Sequence, residues 1–338
     1  MFENLYVDKN KIYPTFVVST MSSGKSTLIN ALLGKELLPS SNCACTAKSV
    51  AILDNDLKKE FMLHVVDKDG NYSLIKNADK QSIIKYNRSN ELKELIIEGE
   101  ISGIKNSKKS LFIIDTPGVN NSMDSSHELA AKSTLEEFSE GLIVYVINAQ
   151  QLATYDDYYF LSMIANKIKS NDRFKIIFAV NKMDLIDREE EDPQQFINEC
   201  YEYIQRNGIE KPIIIPISAR NALLFKKILN GDKLSEMQED SFTQSYKYFQ
   251  RKGFSLKDYM IIPEIQNWSD FFQFEGKTYS RQEILAALEN TGLPMLEKKM
   301  DEMLVDSLKM KSPEIKMRRN VKNHENNRKH SQTRRGRK

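Results

Sequence analysis

The sequence lacks the features that would place the protein outside the cell or across a membrane. Among its 338 residues are three cysteines and one tryptophan, and the longest uninterrupted apolar run, residues 142–147, has six members. A transmembrane helix needs about 20 apolar residues in succession. The first residues also lack a basic and apolar leader. A reducing, cytoplasmic location is therefore the expectation.

A strong net charge is also missing, because opposite charges cancel along the chain. The formal net charge is +2, yet residues 311–338 hold eleven Lys and Arg against two Glu, which leaves +9 in this tail and −7 elsewhere. Beyond Met317 the only aliphatic residue is Val321, so we expect this basic tail to be disordered. Such tails contact nucleic acid or anionic lipid through nonspecific electrostatics, and a merely solvated extension is the alternative.

A candidate phosphate-binding loop lies near the N-terminus. Apolar residues 16–18 predict a strand and residues 28–33 an amphipathic helix, and the segment between them includes Ser22, Ser23, Gly24, Lys25, Ser26 and Thr27. Unpaired N–H groups at a helix start bind anions. Lys25 can reach the β- and γ-phosphates of a nucleotide, and the Ser26 hydroxyl can ligate Mg²⁺. The usual pattern begins with glycine, where this chain has Ser19.

A second candidate segment follows apolar residues 110–114, which predict a buried parallel strand. Its sequence is Asp115-Thr116-Pro117-Gly118. A carboxylate at a strand end can hold a metal ion near the phosphates, usually through water. The Gly118 N–H can approach the γ-phosphate closely because no side chain obstructs it. Alone, this segment is also compatible with an ordinary Pro-Gly turn.

Two further predicted strands precede residues that can select a base. These residues are Asn181, Lys182 and Asp184 after residues 174–180, and Ser218 and Ala219 after residues 212–217. Asp184 can accept hydrogen bonds from both the N1–H and the 2-amino group of guanine, which adenine does not offer in that arrangement. Lys182 can lay its stem over the base, and a backbone N–H of the Ser218 turn can contact the guanine carbonyl.

The four segments are expected to meet, because ligands of open α/β sheets bind beyond the carboxyl ends of the strands. Each segment alone could be a polar turn, but four such coincidences in one order at one edge are improbable. Strands alternate with helices along the chain, which favours an α/β fold with a mostly parallel sheet and helices on both faces. The sequence therefore predicts a guanine-nucleotide site on that sheet.

The order Gly-Lys-Ser, Asp-Thr-Pro-Gly, Asn-Lys-Met-Asp, Ser-Ala-Arg resembles that of the translation-factor-like branch of the P-loop GTPases. Within that branch, the chain resembles the GTPase domain of the dynamin superfamily, especially of bacterial dynamin-like proteins. The narrower resemblance rests on Ser22 in the phosphate loop, on residues 37–40 leading to Thr46, and on residues 291–297 opening the final helix. It extends over residues 12–305.

The resemblance implies binding of GTP, hydrolysis to GDP with Mg²⁺, and catalytic roles for Ser22, Lys25, Thr46 and Gly118. Ser26, Asp115 and Thr46 would bind Mg²⁺ through side-chain oxygens. The backbone carbonyl of Thr46 would also accept a hydrogen bond from the attacking water. Val119 stands where Ras-like enzymes carry a water-orienting glutamine. By resemblance, Ser22 would position this water together with a monovalent cation. The chain departs from many relatives in having Met21 in place of glutamine and no glycine in residues 41–43.

The resemblance also implies partners, with alternatives. It implies a nucleotide-dependent homodimer, and an anionic membrane surface or another dynamin-like chain as partner. A second interpretation is an RNA- or ribosome-associated GTPase that contacts nucleic acid through the basic tail. A third is a nucleotide-gated binding module with negligible turnover.

The predicted organisation is one GTPase domain over residues 1–310 followed by the basic tail. Residues 229–290 do not fit the repeating pattern of strands and helices and predict a helical insertion before the last helix. Residues 47–66 predict an antiparallel strand pair, and the lysine-rich residues 72–108 a helical excursion. Cys43 and Cys45 are interpreted as ordinary loop residues, because a structural zinc site needs four ligands.

Overall fold

A nine-stranded sheet is the centre of the molecule. The computed structural model describes residues 9–20, 22–39, 50–87, 89, 91–104, 109–116, 132–251, 253–256, 271–274 and 277–307. The strands of the sheet are β1 (Ile12–Val18), β2 (Val50–Asp54), β3 (Met62–Asp67), β4 (Tyr72–Ile75), β5 (Leu92–Gly99), β6 (Ser110–Asp115), β7 (Gly141–Asn148), β8 (Phe174–Asn181) and β9 (Ile214–Pro216). Their order across the sheet is β4-β3-β5-β2-β6-β1-β7-β8-β9.

The half of the sheet that carries the predicted motifs is parallel. β1 pairs with β6 on one side and β7 on the other, β7 pairs with β8, and β8 with β9, all in parallel. The carboxyl ends of these five strands therefore share one edge, as the sequence predicts.

Helices cover both faces of the sheet. They are α1 (Lys25–Leu33), α2 (Lys80–Asn87), α3 (Tyr155–Ser170), α4 (Pro193–Arg206), α5 (Ala219–Leu229), α6 (Glu236–Gln250), α7 (Arg281–Asn290) and α8 (Leu293–Ser307). Residues 132–136 are also helical, and Lys9–Lys11 and Met183–Leu185 form 3₁₀ turns. Val17 faces a core shared with α1, α2 and α5–α8, whereas Phe16 faces a core shared with α3 and α4. None of the helices in the described ranges is long and apolar enough to cross a membrane.

The antiparallel half of the sheet differs from the sequence-based expectation. β2 and β3 do not pair with each other, because β5 lies between them, parallel to β2 and antiparallel to β3. The predicted helical excursion contains only one helix in its described part, α2, between β4 and β5. The sequence pattern does not predict β5, because charged residues interrupt its apolar ones. Leu95 and Ile97 of this strand are nevertheless buried.

The described part of the predicted insertion contains two helices and a hairpin. α6 and α7 flank β10 (Phe271–Phe274) and β11 (Lys277–Ser280), which pair antiparallel. Phe242 of α6 packs edge-on against Phe225 of α5, with ring centroids 6.0 Å apart, and against Tyr279, at 5.1 Å. These aromatic residues therefore pack the insertion onto the main core. Trp268 lies outside the described residues.

Candidate nucleotide-binding site

Three of the four predicted segments meet at the side chain of Asn181. Its Nδ2 donates to the carbonyl oxygen of Ser23 in the phosphate loop at 3.0 Å. Its Oδ1 accepts from the backbone N–H of Ala219 at 3.0 Å. One amide thus ties the loop after β1 and the turn after β9 to the end of β8, where Asn181 itself lies.

The fourth segment joins through a buried ion pair. Lys25 Nζ, at the start of α1, bonds Asp115 Oδ1 at the end of β6. Both side chains are almost inaccessible, with 8% and 1% of their area exposed. The Thr116 hydroxyl also donates to the carbonyl oxygen of Val17 at 3.0 Å, which joins the ends of β6 and β1. The predicted phosphate and metal residues are therefore neighbours.

The loop backbone explains why glycine stands at position 24. Gly24 has φ of +88° and immediately precedes α1. A Cβ there would lie 2.4 Å from Asn181 Nδ2, so a side chain would displace the bridging amide. Within the loop, the Ser23 hydroxyl donates to the carbonyl oxygen of Thr20 at 2.9 Å. Ser22 has φ of +60° and is exposed, whereas Ser19 is buried.

The predicted metal-binding residues that the structure describes have the chemistry to fit a magnesium ion. Asp115 Oδ2 is buried and has no hydrogen-bond partner among the residues that the structure describes, so it can accept a metal-bound water. Ser26 is half-buried in the first turn of α1. In the described ranges there is no cluster of three or more His, Cys, Asp and Glu side chains that could hold a metal. One carboxylate with substrate phosphates is the way proteins usually bind Mg²⁺.

The predicted base-reading residues lie on a tight turn. Lys182 has φ of +68°, and the Met183–Leu185 3₁₀ turn that follows presents Asp184 half-buried. Partial burial lowers the pKa of Lys182, and the charge of Asp184 acts in the opposite direction. The Met183 N–H donates to the carbonyl oxygen of Ile217 at 3.3 Å, which holds this turn beside the Ser218 turn.

The Ser218 turn is supported by the junction between α7 and α8. The Ser218 N–H donates to the carbonyl oxygen of Thr291 at 2.8 Å. Gly292 has φ of +76°, and a Cβ there would lie 1.9 Å from the carbonyl oxygen of Pro216. The N–H groups of both Ser218 and Ala219 are thus already bonded within the protein.

Asn221 belongs to this site, although the sequence analysis did not identify it. It lies in the first turn of α5, where its Nδ2 donates to Asp184 Oδ2 and to Ser218 Oγ, each at 2.9 Å. The only sequence signal is its place three residues after Ser218. A polar residue in the first turn of a helix that starts at a strand end faces that edge of the sheet.

Some predicted residues lie outside the described part of the chain. They are Thr46 and Gly118 among the site residues, together with Met21, Val119, Cys43, Cys45 and the basic tail. The roles assigned to them therefore stay predictions.

The sequence matches the model of a family described as the Dynamin family over residues 16–183. Two curated relatives are an uncharacterized protein in the xynA 3′ region of Caldicellulosiruptor sp. (strain Rt8B.4) and Dynamin-like protein A of Bacillus subtilis. The first is 26% identical over 250 residues, 72% of this chain and 58% of that protein. The second is 27% identical over 217 residues, 62% of this chain and 16% of that protein. The chain thus matches just over half of one relative and a small part of the other.

Among solved structures, one similar chain comes from an oligomerised bacterial dynamin pair, described as a mechanism for long-range sensing and tethering of membranes. Its sequence identity to this chain is 19% and the TM-score is 0.47, with coverage of 90% of this chain and 42% of that one.

Proposed function

The chain carries a GTPase domain of the dynamin superfamily, and from this premise we propose that it binds GTP and hydrolyses it to GDP with Mg²⁺. The observation that carries the proposal is the bridge made by Asn181 between the phosphate loop and the Ser218 turn. It supports one continuous site for a guanine base and a triphosphate. We propose residues 1–310 as this domain, including the insertion at 229–290.

The phosphate loop would hold the triphosphate through backbone and charge. The unpaired N–H groups at the start of α1 point out of the helix end, and the helix dipole adds a partial positive charge there. We assign this contact to the backbone of Ser22, Ser23, Gly24, Ser26 and Thr27. The Lys25 ammonium would move from Asp115 to the β- and γ-phosphates.

This exchange links the metal ion to the nucleotide. Removing Lys25 alone from Asp115 would leave a buried carboxylate unpaired, which is costly. Ser26, Asp115 and Thr46 would hold Mg²⁺, and the metal charge would replace that of the ammonium beside Asp115. When bound, Mg²⁺ would stabilise negative charge on the phosphates. Nucleotide without metal should therefore bind weakly.

The base would be read at the opposite end of the site. Asp184 would accept from the N1–H and 2-amino groups of guanine, and the Lys182 stem would cover the base plane. The Ala219 N–H donates to Asn181 Oδ1, so the guanine carbonyl and this amide oxygen are alternative acceptors for the same N–H. The guanine carbonyl would replace Asn181 Oδ1 as the acceptor, or both oxygens would accept from the Ala219 N–H.

We propose that Ser22 positions the attacking water with a monovalent cation, because valine at position 119 cannot hydrogen-bond it. The exposed side chain of Ser22 on the loop supports this role. Thr46 and the Gly118 N–H would complete the surroundings of the γ-phosphate.

We propose that a second copy of this chain is the main partner and binds at the nucleotide edge. α3 starts at that edge, and Tyr155, Tyr158 and Tyr159 in its first turns are 76%, 56% and 54% exposed. Exposed tyrosines are enriched in protein interfaces. The basic tail could add an anionic membrane surface, another dynamin-like chain or nucleic acid as a further partner.

The deciding experiment is GTP binding by calorimetry with Lys25→Ala. We expect binding to be lost, because the β- and γ-phosphates lose the side-chain ammonium assigned to them. Lys35→Ala is the matched control, since Lys35 is exposed just beyond the other end of α1. Unchanged GTP affinity in Lys25→Ala would refute the phosphate-loop assignment. Multiple-turnover phosphate release then separates a hydrolase from a binding module.

A further inference from the structure

Asn221 lies at the centre of a hydrogen-bond network that reaches beyond the nucleotide site. On one side its Nδ2 donates to Asp184 Oδ2 and Ser218 Oγ, each at 2.9 Å. On the other side its Oδ1 accepts from the hydroxyl of Ser245 at 2.6 Å. Ser245 belongs to α6, in the insertion. The network therefore runs from the insertion to the carboxylate assigned to guanine.

The chemistry of the groups fixes the direction of every bond in this network. An ionised carboxylate only accepts hydrogen bonds, so the amide nitrogen of Asn221 must face Asp184. The amide oxygen must then face Ser245, whose hydroxyl can donate. Both amide hydrogens and the oxygen of Asn221 are used. Turning the amide over would place two oxygens against each other at Asp184, so Ser245 helps to keep it in one orientation.

A second contact attaches the same base-reading segment to the residues that follow α6. Arg188, four residues after Asp184, donates from Nη1 to the carbonyl oxygen of Gly253 at 2.5 Å. Its guanidinium also lies over the ring of Phe254, 4.3 Å from the centroid. The insertion thus holds the base-reading segment at two points, which a surface appendage would not need.

We infer that Asn221 and Ser245 are positioning residues for Asp184, and that the inserted helix α6 thereby sets the selectivity for guanine. The inference rests on the proposed function and names what regulates base recognition in that site. Two hydrogen bonds to one base require the carboxylate plane to be fixed, and the bond from Asn221 to Oδ2 fixes it. Oδ2 keeps a second lone pair for the base. A carboxylate free to rotate would still form one bond, but seldom both.

The test compares dissociation constants for GTP and ITP on the full chain, because ITP lacks only the 2-amino group. In Ser245→Ala we expect the preference for GTP over ITP to fall about three- to tenfold, the range for one neutral hydrogen bond such as that from Ser245 to Asn221. ITP affinity should change less than twofold. Asn221→Asp should lower the preference at least as much, because two carboxylates then face each other.

Two further variants separate positioning from general damage. Ser241→Ala makes the same change on α6, but among the described contacts its hydroxyl bonds only the carbonyl oxygen of Met237 in its own helix. The preference should therefore stay at the wild-type value. Ser245→Thr keeps the hydroxyl and should restore the preference. An unchanged preference in Ser245→Ala, or equal losses for both nucleotides, would overturn the inference. A wild-type chain with no preference for GTP over ITP and ATP would instead refute the proposed function.

Discussion

At the scale of single residues, the orientation of Asp184 makes a base-swap experiment specific. In Asp184→Asn the new amide should keep its oxygen toward Asn221 Nδ2, which now donates to Asp184 Oδ2 at 2.9 Å. Its NH₂ group would then face the base and could donate to the 2-oxo group of xanthine. We expect GTP affinity to fall by about 10- to 100-fold and xanthosine triphosphate to become the better ligand.

Competition binding of the two nucleotides measures this change of preference. Asp187→Asn is the control, because Asp187 is exposed on the same segment and its carboxylate accepts only the Glu189 N–H in the described contacts. If Asp184→Asn keeps the wild-type preference, Asp184 does not read the base.

A second residue-scale prediction concerns Gly24. In Gly24→Ala the new Cβ would lie 2.4 Å from Asn181 Nδ2, so we expect the Asn181 bridge to break and GTP affinity to fall by about tenfold or more. Gly70→Ala is the control for the same substitution at a positive-φ glycine of the β3–β4 turn, because Gly70 has nearly the same φ, +85°, with nothing within 4 Å of a Cβ. Calorimetry should show a loss of affinity in the first variant alone; equal affinities would contradict the bridge.

Asp157 should make stability depend on pH. Burial raises the pKa of Asp157, which the hydrogen bond from Tyr145 Oη, at 2.7 Å, only partly offsets. Because an unfolded Asp has a pKa of about 3.9, the folded chain holds this proton more tightly. Its contribution to stability is complete below that pH and is lost as pH rises through the folded pKa.

Asp157→Asn should therefore flatten this decline, since the amide oxygen can still accept from Tyr145. Urea midpoints measured from pH 4 to pH 8 test the difference. Asp156→Asn removes the same charge from the first turn of α3 and should leave the slope of the wild-type curve in place. If stability falls with pH as steeply in Asp157→Asn as in the wild type, the Asp157 carboxylate does not cause the pH dependence.

The predictable site residues are those that follow a strand directly. Asp115 and Asn181 end strands that contain continuous apolar runs, and Lys25 starts α1 after the short loop that follows β1. Parallel strands bring such ends together. Asn221 and Ser245 could not be found in this way. Their role depends on how α5 and α6 pack, which no local pattern records.

At the scale of secondary-structure elements, apolar content decided which strands could be predicted. β6, β8 and β9 stand out because each belongs to a run of apolar residues, which is typical of parallel strands covered on both faces. β5 mixes lysine and glutamate with buried residues, and its place between β2 and β3 depends on pairing distant in sequence. Because β2 and β3 are consecutive in the sequence, we expect them to pair with each other. In the structure each of them pairs with β5 instead.

A buried ion pair between helices gives a prediction at this scale. Lys226 Nζ of α5 bonds Glu297 Oε1 of α8 and donates to the carbonyl oxygen of Leu32 at the end of α1. Both charged side chains are at least nine-tenths buried. Lys226→Met alone should cost about 3–5 kcal/mol of unfolding free energy, because it leaves a buried carboxylate unpaired.

The double variant Lys226→Met with Glu297→Met should recover most of that loss, since neither charge then needs a partner. Urea unfolding of the two single variants and the double variant measures the coupling. Glu202→Gln, which breaks the exposed pair with Arg206 on α4, is the control and should cost less than about 1 kcal/mol. If the double variant is as unstable as the less stable single variant, the loss of stability comes from lost packing and not from an unpaired charge.

At the scale of the whole molecule, the proposed dimer depends on both the nucleotide and the exposed tyrosines. A GTP-loaded site at an edge of the sheet can contact a second copy only if that edge is accessible, and α3 starts there with its three exposed tyrosines. We expect light scattering to report twice the monomer mass with a non-hydrolysable GTP analogue or GDP–aluminium fluoride, and the monomer mass with GDP.

Tyr155→Ser should weaken this dimer, because it removes apolar area from the edge. Met237→Ser is the matched control, since Met237 is 77% exposed against 76% for Tyr155 but lies on α6.

Turnover of the wild-type dimer should also be faster in potassium than in sodium or choline salts, if a monovalent cation acts beside Ser22. The same mass in every nucleotide state would reject the dimer, and identical turnover in the three salts would reject the cation, because each result tests a different contact of the same edge.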